Sequence, residues 1–382
     1  MNALDDAFLD RCRQAGDPEG DALVAQIFDA IGGAAADGTP PERRVLRALL
    51  EQDALPAAWS PPAVRAFLAA PLPGPAVPAA VVRRGEQVFA EHGPEILMAL
   101  GTYSLPAAYA ANDGVRVLAQ TGFLETAPTR RLVETAQMIV DVMRPGGLDP
   151  GGPGVRNARK VRLMHAAIRR LLLARTTPEW DTARLGVPIN QEDLAGTLCT
   201  FAWLPLDALD RLGARVAPAD RDAYVQAWGV VARILGLREE LIPVDAAAAR
   251  ALSARIQARQ VQPELPNPDG RELTRALLAM MDAHIPVAPL RFGPASLMRF
   301  FLPPRVADAL AIPRHAFGDT LVRCGATFAS VASALLSATR LERRFFRGFN
   351  LLLVQAILEG ERGGKRPAFD LPLSLRGRWQ LR

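Results

Sequence analysis

The chain is poor in the residues that build most metal and disulfide sites. Its 382 residues include three cysteines and four histidines. Cys12, Cys199 and Cys324 stand far apart in the sequence and form neither CxxC nor CxxCH. A disulfide framework, a zinc knuckle and a covalently attached haem are therefore unsupported. HExxH is also absent, and no Asp, Glu or His cluster has metal-ligand spacing.

Other absences narrow the class of protein further. The chain has no GxGxxG at a strand–helix junction, no GxxxxGK[ST] and no Gly-x-Ser-x-Gly. No apolar run approaches 18 residues, so we expect no integral membrane segment. The N-terminus, MNALDDAFLDRCRQ, lacks the basic and apolar regions of an export signal, so we expect a cytoplasmic protein. Lys and Arg exceed Asp and Glu by only five, in dispersed positions, so we expect no nucleic-acid partner.

Helical periodicity runs through nearly all of the chain, and strand-like alternation is scarce. This pattern predicts an all-α protein. The expected helices are 21–31, 43–51, 130–143, 161–175, one starting at Asn190, 218–237, 245–260, 271–283, 294–310 and 326–359. The Pro- and Gly-punctuated tail, 363–382, is expected to lie over the surface.

His165 lies in the middle of an expected helix, in Arg162-Leu-Met-His165-Ala-Ala-Ile-Arg169. The spacing places Arg162, His165 and Arg169 on one side of that helix. One imidazole flanked by two guanidinium groups suits a haem, which takes an axial nitrogen and carries two propionates. A polar stripe on a basic helix explains the same pattern, so spacing alone leaves both interpretations open.

Two further groups of residues have chemical potential. Arg131, Glu134 and Thr135 share one helical face, where a cation, a base and a hydroxyl could converge. A first-turn Glu and a back-bonded Thr are the ordinary alternative. Gly196 and Thr197 lie in the helix capped by Asn190, where a mid-helix glycine suggests close approach by another group. Packing of a small-residue helix is equally consistent.

Together these segments resemble the family of latex-clearing proteins, which are bacterial rubber oxygenases, and the oxygenase of mycophenolic acid biosynthesis. The resemblance covers residues 10–310, and its most specific part is the Arg-x-x-His motif with GVPINQEDL. The matching segments are Gly16-Asp17-Pro18 with Asp21, Ser104-Leu-Pro-Ala-Ala-Tyr109, Arg131 with Glu134-Thr135, Val161–Arg169 and Gly186–Leu194.

The resemblance implies a globin-like helical core that holds one non-covalent haem b. In the family the Arg-x-x-His histidine is the proximal iron ligand, which corresponds to His165. Arg162, Thr197 and, less directly, Arg299 correspond to polar groups near the cofactor, and the spacing on the His165 helix adds Arg169 to the predicted cofactor-binding residues. The whole chain is then one oxygenase-type domain. Its expected parts are an N-terminal helical extension (1–90), the globin-like core (91–265) and C-terminal helices with the tail (266–382).

Two departures from the family pattern affect the predicted chemistry. The rubber oxygenases carry Arg-x-x-Lys-Thr on the distal helix, whereas this chain has Arg131-Leu-Val-Glu134-Thr135. The family's glutamate base on a preceding helix has no clear counterpart, since Asp113-Gly114-Val115 occupies that region. We therefore expect Glu134 to act as the distal base, with Arg131 tuning its pKa. The absent export signal favours a smaller substrate than rubber.

The resemblance thus predicts a haem-dependent oxygenase that uses O₂ to oxidise or cleave an unsaturated, apolar, isoprenoid- or lipid-like substrate. The need for an electron donor is left open. Two alternatives stand beside this prediction. The first is a haem-binding sensor or carrier without turnover, and the second is a helical interaction protein that has lost the cofactor.

Overall fold

The computed structural model describes residues 5–32, 41–51, 56–120, 128–176, 178–285 and 290–335. In chain order the α-helices are α1 (Asp6–Arg13), α2 (Pro18–Ile31), α3 (Pro41–Glu51), α4 (Pro62–Ala69), α5 (Ala79–Ala99), α6 (Leu105–Tyr109), α7 (Val115–Gln120), α8 (Pro128–Met143), α9 (Pro153–Leu173), α10 (Thr182–Leu185), α11 (Gln191–Ala202), α12 (Leu204–Arg211), α13 (Pro218–Ile234), α14 (Ala246–Gln260), α15 (Pro268–His284), α16 (Gly293–Phe301), α17 (Pro304–Ala309) and α18 (Ala316–Leu335). Short 3₁₀ segments span Ala57–Trp59 and Glu239–Leu241. Across these ranges no strand forms, and the β-type pairing is a single bridge between Thr176 and Glu179. The all-α prediction is confirmed.

Helix ends with a clear local signal lie where the sequence predicts them. Asn190 caps α11, because its side chain accepts a hydrogen bond from the backbone N–H of Asp193. α8 ends at Met143, two residues before Pro145. The expected helix over 294–310 is divided into α16 and α17, since Pro303 and Pro304 interrupt it.

Other predicted bounds need correction or lie beyond the described chain. The helix expected from Val161 begins at Pro153, because proline at the first helical position continues into the helix without cost. A kink within α5 lies at His92, two residues before Pro94. The predicted helix over 326–359 coincides with α18 as far as Leu335. The rest of it, and the tail, lie outside the described residues.

A π-helical segment, Leu100–Ser104, joins α5 to α6 and was not predicted. Pro106 is the second residue after this segment, and it lacks the backbone N–H that a regular helix would use there. The Ser104 hydroxyl donates to the carbonyl of Thr200 on α11 at 2.6 Å, so the widened turn is tied to that helix. Such π-segments frequently mark functional sites.

The described core consists of three apolar clusters, and α9 joins two of them. Val155 and Ala158 of α9 lie in the central cluster, which also includes Leu9 of α1 and Trp228 of α13. Later in the same helix, Leu163 belongs to the N-terminal cluster around α2, α3 and α4. The third cluster gathers parts of α5, α12, α15, α16 and α17. The centre of α9 is therefore held from two sides.

The expected three-part division of the domain stays a prediction. Its first boundary, residue 90, falls inside α5. Within the described chain, no helix combines the length and hydrophobicity that a bilayer span requires.

Candidate functional site

His165 lies at the middle of α9, where the two clusters meet. The residue is half-buried, and its Nδ1 atom is buried. The residues beside it, Ala166 and Ala167, are buried and small. α9 packs against α8 on one side and against α2 and α3 on another. His165 thus presents a single imidazole from a helix with little freedom to shift.

Arg162, one turn before His165, is buried in a bidentate ion pair with Asp17. Its Nε and Nη2 atoms each donate to an Asp17 carboxylate oxygen at 2.7 Å. Nη2 also donates to Glu19 at 2.7 Å. Gly236, with φ +83°, passes so close that a β-carbon there would lie 2.8 Å from Arg162 Nε and 2.9 Å from an Asp17 oxygen. Only a glycine at position 236 therefore leaves room for the ion pair.

Arg169, two turns later on α9, ties the GVPIN loop to the same N-terminal segment. Its Nε and Nη2 atoms donate to the carbonyls of Pro188 and Ile189 at 3.0 and 3.1 Å. Its Nη1 atom pairs with Asp21. Asp17, Glu19, Asp21, Arg162 and Arg169 are named the N-terminal clamp from here on.

The clamp changes the interpretation of the two arginines. Neither forms a solvated polar stripe, since both guanidinium groups are buried. Arg162 donates to Asp17 and Glu19, whereas Arg169 donates to Asp21 and to carbonyls of the loop before α11. Their predicted contact with cofactor carboxylates stays a prediction. In the structure, the bonds of the two arginines hold α9, and hence His165, in a fixed position.

A second ionic group surrounds Arg13 at the end of α1. Its guanidinium lies 3.4 Å from Glu192, 3.5 Å from Asp193 and 3.8 Å from Asp113. Arg13, Asp113, Glu192 and Asp193 are named the Arg13 cluster. Further donors reach it from its rim: Arg184 to Asp113, Arg259 and Gln260 to Glu192, and Asn190 to Asp193.

Asp193 is the most perturbed carboxyl of this cluster. Burial raises its pKa to about 7. The negative charges of Glu192 and Asp113 act in the same direction, whereas Arg13 opposes them. Sequence reasoning recognised Asp193 only as an acid at a helix start. Sequence reasoning could not show that Asp113, in the turn before α7, lies close to Asp193.

The predicted distal residues lie on α8, which packs against α9. The structure therefore brings together the helix of Glu134 and the helix of His165. The side chains of Arg131 and Glu134 lie outside the described residues. Thr135 is half-buried. The distal-base assignment stays a prediction.

The remaining predicted cofactor residues have contacts of their own. Thr197 is exposed on α11, and its hydroxyl donates to the Asp193 carbonyl at 2.8 Å. Arg299 on α16 donates to Asp308 at 2.8 Å and to the carbonyls of Ile312 and Pro313. These bonds lock α16 to the chain that follows it. The structure does not join Arg299 to the clamp.

The donor set around α9 is compatible with a haem. No group of three or more His, Cys, Asp or Glu side chains that could hold a metal ion occurs in the part of the chain described. A haem brings four nitrogens of its own and requires a single protein ligand. His165 supplies that type of ligand from an apolar helix face with small neighbours. The residues present thus fit a haem better than a bare ion.

Comparison with known proteins agrees with this architecture. A family model described as "ER-bound oxygenase mpaB/B'/Rubber oxygenase, catalytic domain" matches residues 80–334, more than half of the chain. The chain belongs to this family. The matched range includes α5 to α18, and hence His165, Glu134 and the Arg13 cluster apart from Arg13 itself.

Two relatives illustrate the family. The rubber oxygenase of Streptomyces sp. (strain K30) is 31% identical over 198 residues. The match covers 50% of this chain and 46% of that protein, so it spans about half the length of the curated relative. The structure of latex clearing protein LCP in the closed state superimposes with a TM-score of 0.72 at 24% identity, covering 94% of this chain and 95% of that one. This likeness shows a shared all-α fold.

Proposed function

We propose that the protein is a haem b-dependent oxygenase that uses O₂ to oxidise or cleave an unsaturated, apolar substrate. The observation that carries the proposal is the placement of His165. It is a half-buried imidazole at the centre of a clamped helix, in a chain of an oxygenase catalytic-domain family. When bound, the haem supplies the oxygen chemistry, and the protein supplies binding, orientation and proton handling.

In this proposal three residues of α9 have different roles: His165, Arg162 and Arg169. His165 would hold the haem iron. Arg162 and Arg169 are positioning residues, because the N-terminal clamp fixes the rotation and height of α9. A rigid ligand helix holds the imidazole at one depth, which is what a preorganised site requires. Thr197 and Arg299 stay as proposed cofactor neighbours, although their described bonds are within the protein.

Glu134 is proposed to hold and move the proton on the distal side, with Arg131 and Thr135 on the same helical face. A carboxylate is a weaker ligand for haem iron than the lysine of the rubber oxygenases. Its place on α8, opposite α9, suits a base that faces the substrate. An apolar isoprenoid or lipid-like chain is the proposed substrate, and the rubber oxygenase relative supports an unsaturated one. A cytoplasmic location and the need for an electron donor stay predictions.

The absorption spectrum with the pyridine haemochrome, recorded beside His165→Ala, tests the proposal. We expect a Soret band of b-type haem in the wild type and its loss in the variant. Arg83→Met, an exposed change on α5, is the control and should leave the band unchanged. No Soret band after expression with ample haem would overturn the proposal.

Turnover is tested separately with Glu134→Gln. This change should abolish O₂ consumption with an unsaturated substrate and leave the haem content unchanged. Activity retained at the wild-type level would remove Glu134 from the mechanism. If the wild type binds haem but consumes no O₂ with any unsaturated chain offered, the protein is a haem-binding sensor or carrier instead.

A further inference from the structure

α7 shares an apolar cluster with the ligand helix α9. Val117 of α7 packs in the same cluster as Leu163 and Ala167 of α9. At the other end, Arg175 donates to the backbone carbonyl of Gln120 at 3.0 Å. On the opposite side of α7, Val115 packs in the C-terminal cluster. The two apolar faces fix the rotation of this short helix.

Two half-buried polar side chains of α7 each have one buried atom without a protein partner. Arg116 Nε and Gln120 Oε1 are both buried, and neither forms a hydrogen bond with the described chain. The two residues are one turn apart, and at about 100° per residue they lie only about 40° apart around the helix. Gln120 is about 60° from Val117, which faces α9. The unpaired donor and acceptor therefore belong to neighbouring positions of α7, beside the side that Val117 occupies.

This situation is unusual, because a buried polar atom without a hydrogen-bond partner lowers the stability of the fold. It contrasts with Arg162 and Arg169 on α9, whose guanidinium groups are satisfied by Asp17 and Asp21. A binding site would explain the cost, since the ligand supplies the missing partner when it binds. The pair then has a function that the fold alone does not require.

From this juxtaposition we infer that Arg116 and Gln120 form a binding site for the carboxylate of an organic ligand held beside α9. A carboxylate offers two acceptor oxygens and one negative charge, which balances a single guanidinium. Rotation of the Gln120 amide by 180° places its NH₂ donor where Oε1 now lies, a change that costs little. Both residues then donate to the same anion.

Two sources can supply this carboxylate: a haem propionate or the acid group of an acidic substrate. The inference rests on the proposed haem binding in the first case only. In the second case it stands on the Arg116–Gln120 pair alone. The two sources are therefore separated by the choice of ligand in the experiment.

The first measurement titrates the apoprotein with ferric haem and with its dimethyl ester, which lacks the carboxylates, and follows the Soret band. Arg116→Met should weaken haem binding by about 10- to 100-fold, the effect of a charge-assisted hydrogen bond. Binding of the dimethyl ester should not change. Gln120→Leu should produce the same pattern at about 3- to 10-fold. Arg83→Met serves as the matched control on an exposed surface.

The second measurement compares oleate with oleyl alcohol by equilibrium dialysis against the wild type and Arg116→Met. Loss of the preference for the acid in the variant, with unchanged haem affinity, assigns the site to a substrate carboxylate. If Arg116→Met alters neither preference, or weakens haem and its ester equally, the inference is overturned. If the wild type fails to bind haem at all, the proposed function fails, and the oleate comparison still tests the site.

Thermal unfolding of the apoprotein gives an independent readout. Because Arg116 has no partner in the described chain, Arg116→Met should leave the apoprotein Tm unchanged or raise it. A lower Tm, by more than about 4 °C, would show that Arg116 stabilises the fold, and it would overturn the inference.

Discussion

The N-terminal clamp and the Arg13 cluster both join an N-terminal helix to the body of the protein, yet they are built differently. In the clamp, Arg162 forms short bidentate bonds to Asp17 at 2.7 Å, and a carboxylate is present for each guanidinium. In the Arg13 cluster, one guanidinium lies 3.4–3.8 Å from three carboxylates. The clamp thus gains rigidity from short, saturated bonds, whereas Arg13 forms longer contacts and burial raises the pKa of Asp193 to about 7.

Breaking the clamp should have the largest effect. Arg162→Met leaves Asp17 buried, 5% exposed, without its cation, and loss of one partner from a buried pair costs about 3–5 kcal/mol. Urea unfolding measures the change in the free energy of unfolding. The control is Arg156→Met at an exposed position of the same helix. Equal stability of the two variants would show that the clamp is dispensable for the fold.

Arg299→Met tests a third junction, at the other end of the molecule. The change removes bonds to Asp308 and to the Ile312 and Pro313 carbonyls, so we expect a loss of about 2 kcal/mol. Because Arg299 is also a proposed cofactor neighbour, haem content per folded protein should fall as well. Unchanged haem content would restrict Arg299 to joining α16 with the chain that follows it.

The stability contributed by the Arg13 cluster should depend on pH up to near neutrality. Burial raises the pKa of Asp193 from 3.8 to about 7, so the folded protein retains a proton that the unfolded chain has lost. Stability should therefore fall as pH rises from about 4 to 7, by at most about 1.4 kcal/mol per pH unit. Asp193→Asn should flatten this decline and stabilise the protein at pH 8 by about 1–2 kcal/mol.

Urea unfolding at pH 5, 6, 7 and 8 makes this comparison, with Asp220→Asn on α13 as a carboxylate control outside the cluster. An unchanged pH slope in Asp193→Asn would show that Asp193 is ionised throughout. A flattened slope in both variants would show that the effect is not specific to the cluster.

The sequence predicts the local features of this architecture, such as helix ends, but it does not predict the ion pairs that join distant segments. The cap at Asn190 and the stop before Pro145 depend on neighbouring residues, and the structure has both. Arg162 and Asp17 are 145 residues apart, and no periodicity links them. The sequence nevertheless contains one indication of these ion pairs. Asp17 and Asp21 belong to the family motif, and their spacing allows them to meet two arginines on another helix.

The site is less predictable than the fold for a physical reason. His165 and Glu134 are predicted from motifs, and their helices pack against each other. The unpaired atoms of Arg116 and Gln120 follow from burial, which depends on how α7 packs between two clusters. A sequence pattern shows neither the depth of a side chain nor whether its bonds are satisfied.

The smallest expected effect distinguishes a buried ion pair from an exposed one within the clamp. Asp17 and Glu19 both accept from Nη2 of Arg162 at 2.7 Å, but Asp17 is 5% exposed and Glu19 is 68% exposed. Glu19→Gln should cost only about 0.5 kcal/mol in urea unfolding, because solvent screens the exposed pair and Gln still accepts a hydrogen bond. Added salt should shrink even this difference. A loss above about 2 kcal/mol would mean that the net charge facing Arg162, rather than its buried bidentate bond, stabilises the ligand helix.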